Sequence, residues 1–504
     1  MAPLTGLAPL AGCGDNIGGV PDEILPESSY EARCATPRTG ADATGAKFTD
    51  VQGSLLDEQL WLRSWIDDLY LWYLEVPKSD PRMYKTALDY FDALRTQAIT
   101  PSGKPKDQFH FTYVTTDWVA LSQSGTEASY GAEWALLQTR PPRKLVVAFT
   151  QPGSPAEAAG LKRGTEVLMI DGVDLINGSD VDTLNNGIAP SNLNESHTFV
   201  VHDIDAPVGT TRTVAMSSTS IAITPVQGTK VLAQPAGAKV GYMLFTDHIA
   251  TAQKGLADAI TTLRDQGVTD LVLDIRYNGG GYLDIAAQLA FMIAGPTRTT
   301  GKVFERESFN DKYQTTDPFS GRPLQPTPFV DQTLDFGLPP GQGLPPGQAL
   351  PHLDLARVFV LTGSGTCSAS EAVMNGLAGV GVQVIQIGAT TCGKPYGFFP
   401  ADNCGTTYFA IQFQGVNDKA FGDYADGFIP GGVNPGCKVD DDFTHALGDP
   451  AEARLAVALT YRTTGACPAA VAAATEERSF DPRRAGEAVR AKPLWRQNRI
   501  LTHH

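Results

Sequence analysis

The stretch from residue 240 to residue 390 constrains the fold most, because short apolar strands alternate there with helical runs. The segment Leu271-Val272-Leu273-Asp274-Ile275 has no alternating polar face. Such a strand must be covered on both sides, which predicts a buried parallel strand. Similar runs at 241–245, 358–361 and 384–387 flank helical patterns at 250–265, 283–294 and 372–379. Strand, helix, strand in that order is α/β architecture. Residues 310–354 interrupt it with Pro and Gly, and the hexapeptide Gly-Leu-Pro-Pro-Gly-Gln occurs at 337–342 and again at 343–348. This stretch reads as a surface insertion without chemistry.

A chain of 504 residues exceeds one hydrophobic core, so further modules are expected. Between 55 and 74 the residues Leu56, Leu60, Trp61, Trp65, Ile66, Leu69, Tyr70 and Tyr73 recur at helical spacing, and a second helical pattern runs from 83 to 94. This predicts a small helical domain whose aromatic stripe is core. From 126 to 222 the pattern changes to short β runs (145–149, 167–170, 198–201) separated by Gly, Pro and Asn turns. The whole reads as an α/β multidomain chain with a partly parallel sheet in its α/β core. Its parts are a lead segment or tether (1–52), a helical domain (53–125), a β domain (126–225), the α/β domain (226–465) and an Ala-rich, then basic tail (466–504).

The formal charge of -16 opposes sequence-independent binding to a polyanion, which excludes nucleic acid as the partner class. No run approaches the ~20 apolar residues of a membrane-spanning helix. Cysteines stand at 13, 34, 367, 392, 404, 437 and 467 with no CxxC pair, so neither a zinc site nor any other metal or cofactor is expected. Leu10-Ala11-Gly12-Cys13 resembles the lipobox of bacterial lipoproteins, although no basic n-region precedes it. The resemblance implies lipidation of Cys13, and Gly14 in place of Asp implies retention at the outer membrane. The six remaining cysteines suit disulfides in an oxidising periplasm. Membrane contact would then run through the lipid anchor alone.

The chemistry concentrates in two segments. In Thr362-Gly363-Ser364-Gly365-Thr366-Cys367-Ser368-Ala369-Ser370-Glu371 a strand gives way to a helix, which sets the Ser368 hydroxyl at the rim of the sheet beside helix-start amides. Serine at such a turn also caps helices. The second segment, Ile387-Gly388-Ala389-Thr390-Thr391-Cys392-Gly393-Lys394, follows the next apolar strand, so one helix and one strand separate Lys394 from Ser368. A lysine between apolar walls loses hydration, which favours its neutral form and lets it act as a base. A lysine exposed on an irregular loop is the alternative.

With Asp274-Ile275-Arg276-Tyr277-Asn278-Gly279-Gly280-Gly281, these segments resemble the carboxyl-terminal processing peptidases, or tail-specific proteases, over roughly residues 55–460. The resemblance implies Ser368 as nucleophile, Lys394 as general base, and the amides of Gly280 and Ala369 as oxyanion hole, with Gly281 as the alternative glycine. Cleavage would pass through an acyl-enzyme. The run from Gly153 to Gly172 resembles the core of a bacterial PDZ domain, a module that binds a peptide's C-terminal end as an added strand. Tyr130, Gly131 and Ala132 would form the carboxylate-receiving loop.

Two departures stand out. Family members often carry a glutamine one turn after the lysine, whereas this chain reads Lys394-Pro395-Tyr396-Gly397-Phe398, so another group must position the amine. Cysteines 367 and 392 stand just before both catalytic positions, which suggests a disulfide pinning the two loops. Cys404 with Cys437 and Cys34 with Cys467 are the remaining pairs expected. The cluster Asp440-Asp441-Asp442 fits the family's closing segment but lacks calcium-loop spacing, and reads as a solvated turn.

The expected function is that of a serine endopeptidase acting on proteins or peptides with free C-terminal tails, recognised by the PDZ module. Two rivals are a catalytically silent tail-binding protein of the same fold, and a Ser-His hydrolase using His248. Adjacent residues on an extended strand face opposite ways, so Asp247 is badly placed to orient His248.

Overall fold

The computed structural model describes residues 23–42, 45–469 and 489–491. Its central sheet runs Val226–Ala233, Lys239–Phe245, Asp270–Asp274, Arg357–Thr362, Gln383–Gly388, Gly436–Lys438. The first pair is antiparallel and every later pair is parallel. Side chains of successive residues leave opposite faces, and both faces are covered. Met243, Phe245, Leu271, Leu273, Val358 and Val360 meet helices Ala252–Asp265, Leu283–Ala294 and Ala369–Gly379. Tyr242, Leu244, Val272, Phe359, Leu361 and Ile385 meet helix Ala453–Thr464. Double cover is why the central strands carry apolar residues at successive positions.

Helix Leu55–Leu69 starts at a capping box, in which Ser54 and Asp57 satisfy each other's amides. It ends five residues before the periodicity would allow. Tyr70 turns extended, its hydroxyl donates to the buried Asp107 carboxylate at 2.6 Å, and the Leu71 amide donates to Ile411 O at 2.8 Å. The second helix spans Ala87–Ala93, because Pro81–Met83 forms a separate 3-10 turn and Thr86 caps anew. Trp61, Trp65, Tyr90 and Phe91 share a core with Tyr408, Ala410 and Ile411, so the helical region is built onto the α/β domain.

A second sheet, antiparallel throughout its main path, runs Arg212–Ser217, Ser196–His202, Glu166–Ile170, Lys144–Thr150, Ala132–Gln138, Val489–Ala491. Helix Val181–Ile188 packs Leu184 and Ile188 into its core.

Several expectations are corrected. The lead segment is no tether where it is described: Tyr30 and Cys34 are buried, and Arg33–Cys34 pairs with Val51–Gln52. The expected pairs Cys404 with Cys437 and Cys34 with Cys467 are wrong, since the bonds are Cys34–Cys404 and Cys437–Cys467. The Ala32 amide donates to Asn403 Oδ1 at 3.0 Å, which brings the lead segment to Cys404. Helix Ala453–Thr464 returns Cys467 to the edge strand that carries Cys437. The insertion is not wholly superficial, because Phe329 and Leu350 are buried in the main core. Cys13 lies outside the described residues. No helix among them is long and apolar enough to cross a membrane.

Candidate active site

The turn after strand Arg357–Thr362 hangs on the segment that follows the neighbouring strand. Thr366 Oγ1 donates to Ile275 O at 2.9 Å, while the Cys367 amide (3.2 Å) and Ser370 Oγ (3.1 Å) both donate to Asn278 O. Ser368 then takes φ 55°, ψ -120°, a left-handed backbone that costs a non-glycine residue ~1–3 kcal/mol. The surroundings hold it there. A disulfide joins Cys367 to Cys392, with Cα atoms 5.2 Å apart.

Between the two loops lies Glu371, a fully buried carboxylate in the first turn of helix Ala369–Gly379. Its Oε2 accepts the Ser368 amide at 3.1 Å and the Lys394 amide at 2.8 Å. Its Oε1 accepts the Gly393 amide at 2.9 Å and the Thr391 hydroxyl. Burial pushes this carboxyl up, and the four donors pull against it. Sequence reasoning quoted Glu371 without giving it a task. The available signal was Ser368-x-x-Glu371, the spacing at which a helix-start carboxylate reaches back to the capping residue's amide.

Lys394 is 6% exposed. Its Nζ lies 3.7 Å from the centroid of the Phe398 ring and 5.1 Å from that of Phe109. Phe398, four positions after the lysine, thus turns a ring face to the amine.

Gly280 and Gly281 have φ 101° and 136°. A Cβ on Gly280 would lie 2.7 Å from Ser368 Cβ and 3.0 Å from Ala369 N, so only glycine lets this loop lie against the serine. The Gly280 amide donates to Asn278 Oδ1 at 2.9 Å. His248 lies beneath: its amide donates to Gly280 O at 3.1 Å and its carbonyl accepts the Tyr282 amide at 2.8 Å. Burial pushes the His248 imidazole down to about 4, so the ring is neutral near pH 7 and Nδ1–H donates to Asn278 Oδ1 at 3.0 Å.

The acidic turn is corrected too. The Asp441 side chain is only 6% exposed, not solvated, and accepts Arg276 Nη1 at 2.6 Å and Arg163 Nη2 at 2.7 Å, with the Tyr277 hydroxyl on its other oxygen. Burial acts against its charge, but the surrounding arginines hold Asp441 well below the carboxylate range. Arg276 also bonds Asp274 Oδ1 at 2.9 Å and both Glu452 oxygens, which fixes the strand end leading to the glycines. Among the described residues, the two places where three potential metal ligands gather are Cys34–Glu58–Cys404 and Cys367–Glu371–Cys392, whose sulfurs are spent in disulfides.

Tyr130, Gly131 and Ala132 lie at the start of strand Ala132–Gln138. Tyr130 is buried, its carbonyl accepts the Ala156 amide at 3.0 Å, and Gly131 O accepts the Gln151 amide at 2.7 Å. Gly131 has φ 72°, and a Cβ there would fall 2.3 Å from Ser154 Cβ.

Residues 239–400 match the model of peptidase family S41, and residues 57–111 match that of the peptidase S41 N-terminal domain. The carboxyl-terminal-processing protease of Picosynechococcus sp. is 27% identical over 293 residues, covering 56% of this chain and 66% of that protein. The chloroplastic C-terminal processing peptidase of Tetradesmus obliquus is 34% identical over 161 residues, covering 30% and 34%. The chain thus aligns with about a third to two thirds of these curated relatives' lengths. A solved Bacteroides fragilis protein assigned to the S41 proteases has a TM-score of 0.60 at 22% identity, over 81% of this chain and 97% of that one, a likeness of fold.

Proposed function

We propose, from the premise that this chain belongs to peptidase family S41, that it is a serine endopeptidase using Ser368 and Lys394 on the tails of other proteins. The observation that carries the proposal is the shared acceptor: one oxygen of Glu371 takes the amides of both Ser368 and Lys394. That arrangement, with the Cys367–Cys392 bond, brings the two loops together in a strained turn of the kind that presents nucleophiles.

In this reading the Ser368 hydroxyl gives its proton to the uncharged Lys394 amine as it attacks the peptide carbonyl. Stripping water from Lys394 between Phe109 and Phe398 favours the neutral amine, while the ring faces act in the other direction. The developing oxyanion is received at the Ala369 helix start and the glycine loop. Gly280 serves there if its amide exchanges Asn278 Oδ1 for the oxyanion. Lys394 then protonates the leaving amine, and water releases the acyl group from Ser368. The engagement of neutral His248 with Asn278 disfavours the Ser-His alternative.

Residues 126–225 act as a PDZ module in this proposal. Its support is the edge strand Ala132–Gln138, which takes Val489–Ala491 as an antiparallel neighbour, the geometry in which such a module adds a peptide. The three disulfides fit an oxidising compartment, consistent with a periplasmic protein anchored through Cys13.

The test is incubation of the purified chain with unstructured tailed proteins. Cleavage lost in both Ser368→Ala and Lys394→Ala supports the peptidase; tail binding by the wild type with no cleavage supports a silent tail-binding protein.

A further inference from the structure

A small sheet runs Thr327–Pro328, Val303–Ser308, Phe413–Val416, Tyr396–Gly397 beside the catalytic loops. It adjoins the Lys394 loop directly, since the Gly415 amide donates to Pro395 O at 2.9 Å. Glu305 and Glu307 alternate on one face of this sheet, and Gly415 stands opposite Glu307. A side chain at position 415 would collide with Glu305, its Cβ falling 2.2 Å from the carboxyl carbon and 2.5 Å from each oxygen. The missing Cβ leaves the space that the carboxylate fills.

Glu305 is 5% exposed, and no hydrogen-bond donor or cation among the described residues meets its carboxylate. Glu307 is half-buried, with one side-chain contact, the Thr327 hydroxyl at 3.3 Å. Asp284, three positions after Gly281 in the first turn of helix Leu283–Ala294, is open to solvent and lies near enough to act on Glu307. The three run from the surface inward. Arg306, between the two glutamates, is exposed and on the opposite face of its strand.

Among the described residues, the groups acting on Glu305 and Glu307 are carboxylates and the Thr327 hydroxyl. Burial, then the Glu307 charge, pushes Glu305 up to about 8. Burial pushes Glu307 up to about 7 against the pull of Thr327, with Asp317 and Asp284 adding to it. Acids this close without a counter-charge are costly to the fold, and a cation arriving with a ligand would relieve that cost.

We infer that Glu305, Glu307 and Asp284 form a subsite for a lysine or arginine side chain beside the scissile bond of the substrate. This rests on the peptidase reading above. The wall reaches Glu371 through few steps: the Thr391 hydroxyl donates to Glu371 and accepts the Phe428 amide at 2.7 Å, Phe428 stacks on Tyr424 at 4.5 Å, and the Tyr424 hydroxyl feels both Glu305 and Glu371. A long apolar stem ending in a charge matches a site whose acids are spread from mouth to floor. A bare divalent ion matches it less well, because the three carboxylates do not converge within the 4.8 Å that a shared ion requires.

The test uses the full chain and peptides that differ only by Lys, Arg, norleucine or Glu at each residue flanking the scissile bond. Expected is a kcat/KM at least ten-fold higher for Lys or Arg than for norleucine at one of the two positions. That ratio should fall to near one in Glu305→Gln with Glu307→Gln, and about three-fold in Asp284→Asn, a surface change that leaves the interior intact. No basic preference, or one that survives these variants, overturns the subsite. Binding of the same peptides to Ser368→Ala separates the two readings. Tighter binding of the basic peptides that the glutamine variants abolish upholds the subsite even if no peptide is ever cleaved, whereas equal binding of basic and norleucine peptides removes it.

Discussion

The Lys394 amide donates to the buried carboxylate of Glu371 at 2.8 Å, and the Ser368 amide donates to the same oxygen. Replacing Glu371 with Gln puts an NH2 group where two donors now point. Leaving buried donors unpaired costs about 1–3 kcal/mol each. Glu371→Gln is expected to lower kcat at least 100-fold, with a smaller change in peptide affinity for Ser368→Ala/Glu371→Gln than for loss of the fold. Steady-state kinetics beside circular dichroism check this; unchanged kcat removes Glu371 from the arrangement.

The Cys367–Cys392 bond closes a loop across a sequence separation of 25. A crosslink of that span contributes about 3 kcal/mol by limiting the unfolded chain. Cys367→Ser with Cys392→Ser should lower the thermal midpoint and reduce cleavage more than proportionally, because the same bond holds both loops. Differential scanning calorimetry and peptide hydrolysis read the two effects separately.

Phe398 meets the Lys394 amine with its ring face. Phe398→Leu keeps apolar volume but removes the ring's quadrupole, an interaction of ~0.5–2 kcal/mol. A several-fold change in kcat with little change in KM is expected. A change confined to KM would show that the ring serves the substrate instead.

Glu305 gives a stability signature of definite sign. Its carboxyl is near 4.5 when unfolded and pushed up to about 8 when folded, by burial and then by Glu307, while Tyr424 is the other titratable group facing it. The unfolded chain therefore ionises first, and the protonated folded form loses relative stability as pH rises from about 4.5 to about 8. Glu305→Gln should raise the thermal midpoint, by an amount that grows across that window and levels above it. A difference independent of pH would contradict the assignment.

Val489–Ala491 fills the outer edge of strand Ala132–Gln138, which an added tail would need. Arg490→Pro removes a backbone donor and disfavours the pairing. Fluorescence anisotropy with tail peptides should then report tighter binding than for the unaltered chain; equal affinity would mean that this segment does not compete.

The parallel sheet was legible because double burial leaves a mark in sequence: helix Leu283–Ala294 and the strands around 272, 360 and 386 stand where apolar periodicity puts them. What escaped was long-range. The Cys34–Cys404 bond depends on how the lead segment docks, which no local pattern encodes. Asp441 looked like one of three acids on a turn, and only the folded chain brings Arg163 and Arg276 to it. In the site, Ser368 and Lys394 stood out by chemical type and context. Glu371 was visible but mute, since a carboxylate in a helix's first turn is commonplace until its partners are known.

Helix Leu55–Leu69 buries Trp61 and Trp65 against Tyr408, Ala410 and Ile411, far along the chain. As the polypeptide is synthesised, that aromatic surface emerges long before its other half exists. Contacts of such separation form late, and the nascent chain carries exposed tryptophans meanwhile. The nascent chain is prone to aggregate over this interval. Expressing residues 53–125 by themselves would yield an insoluble fragment, not a small helical domain.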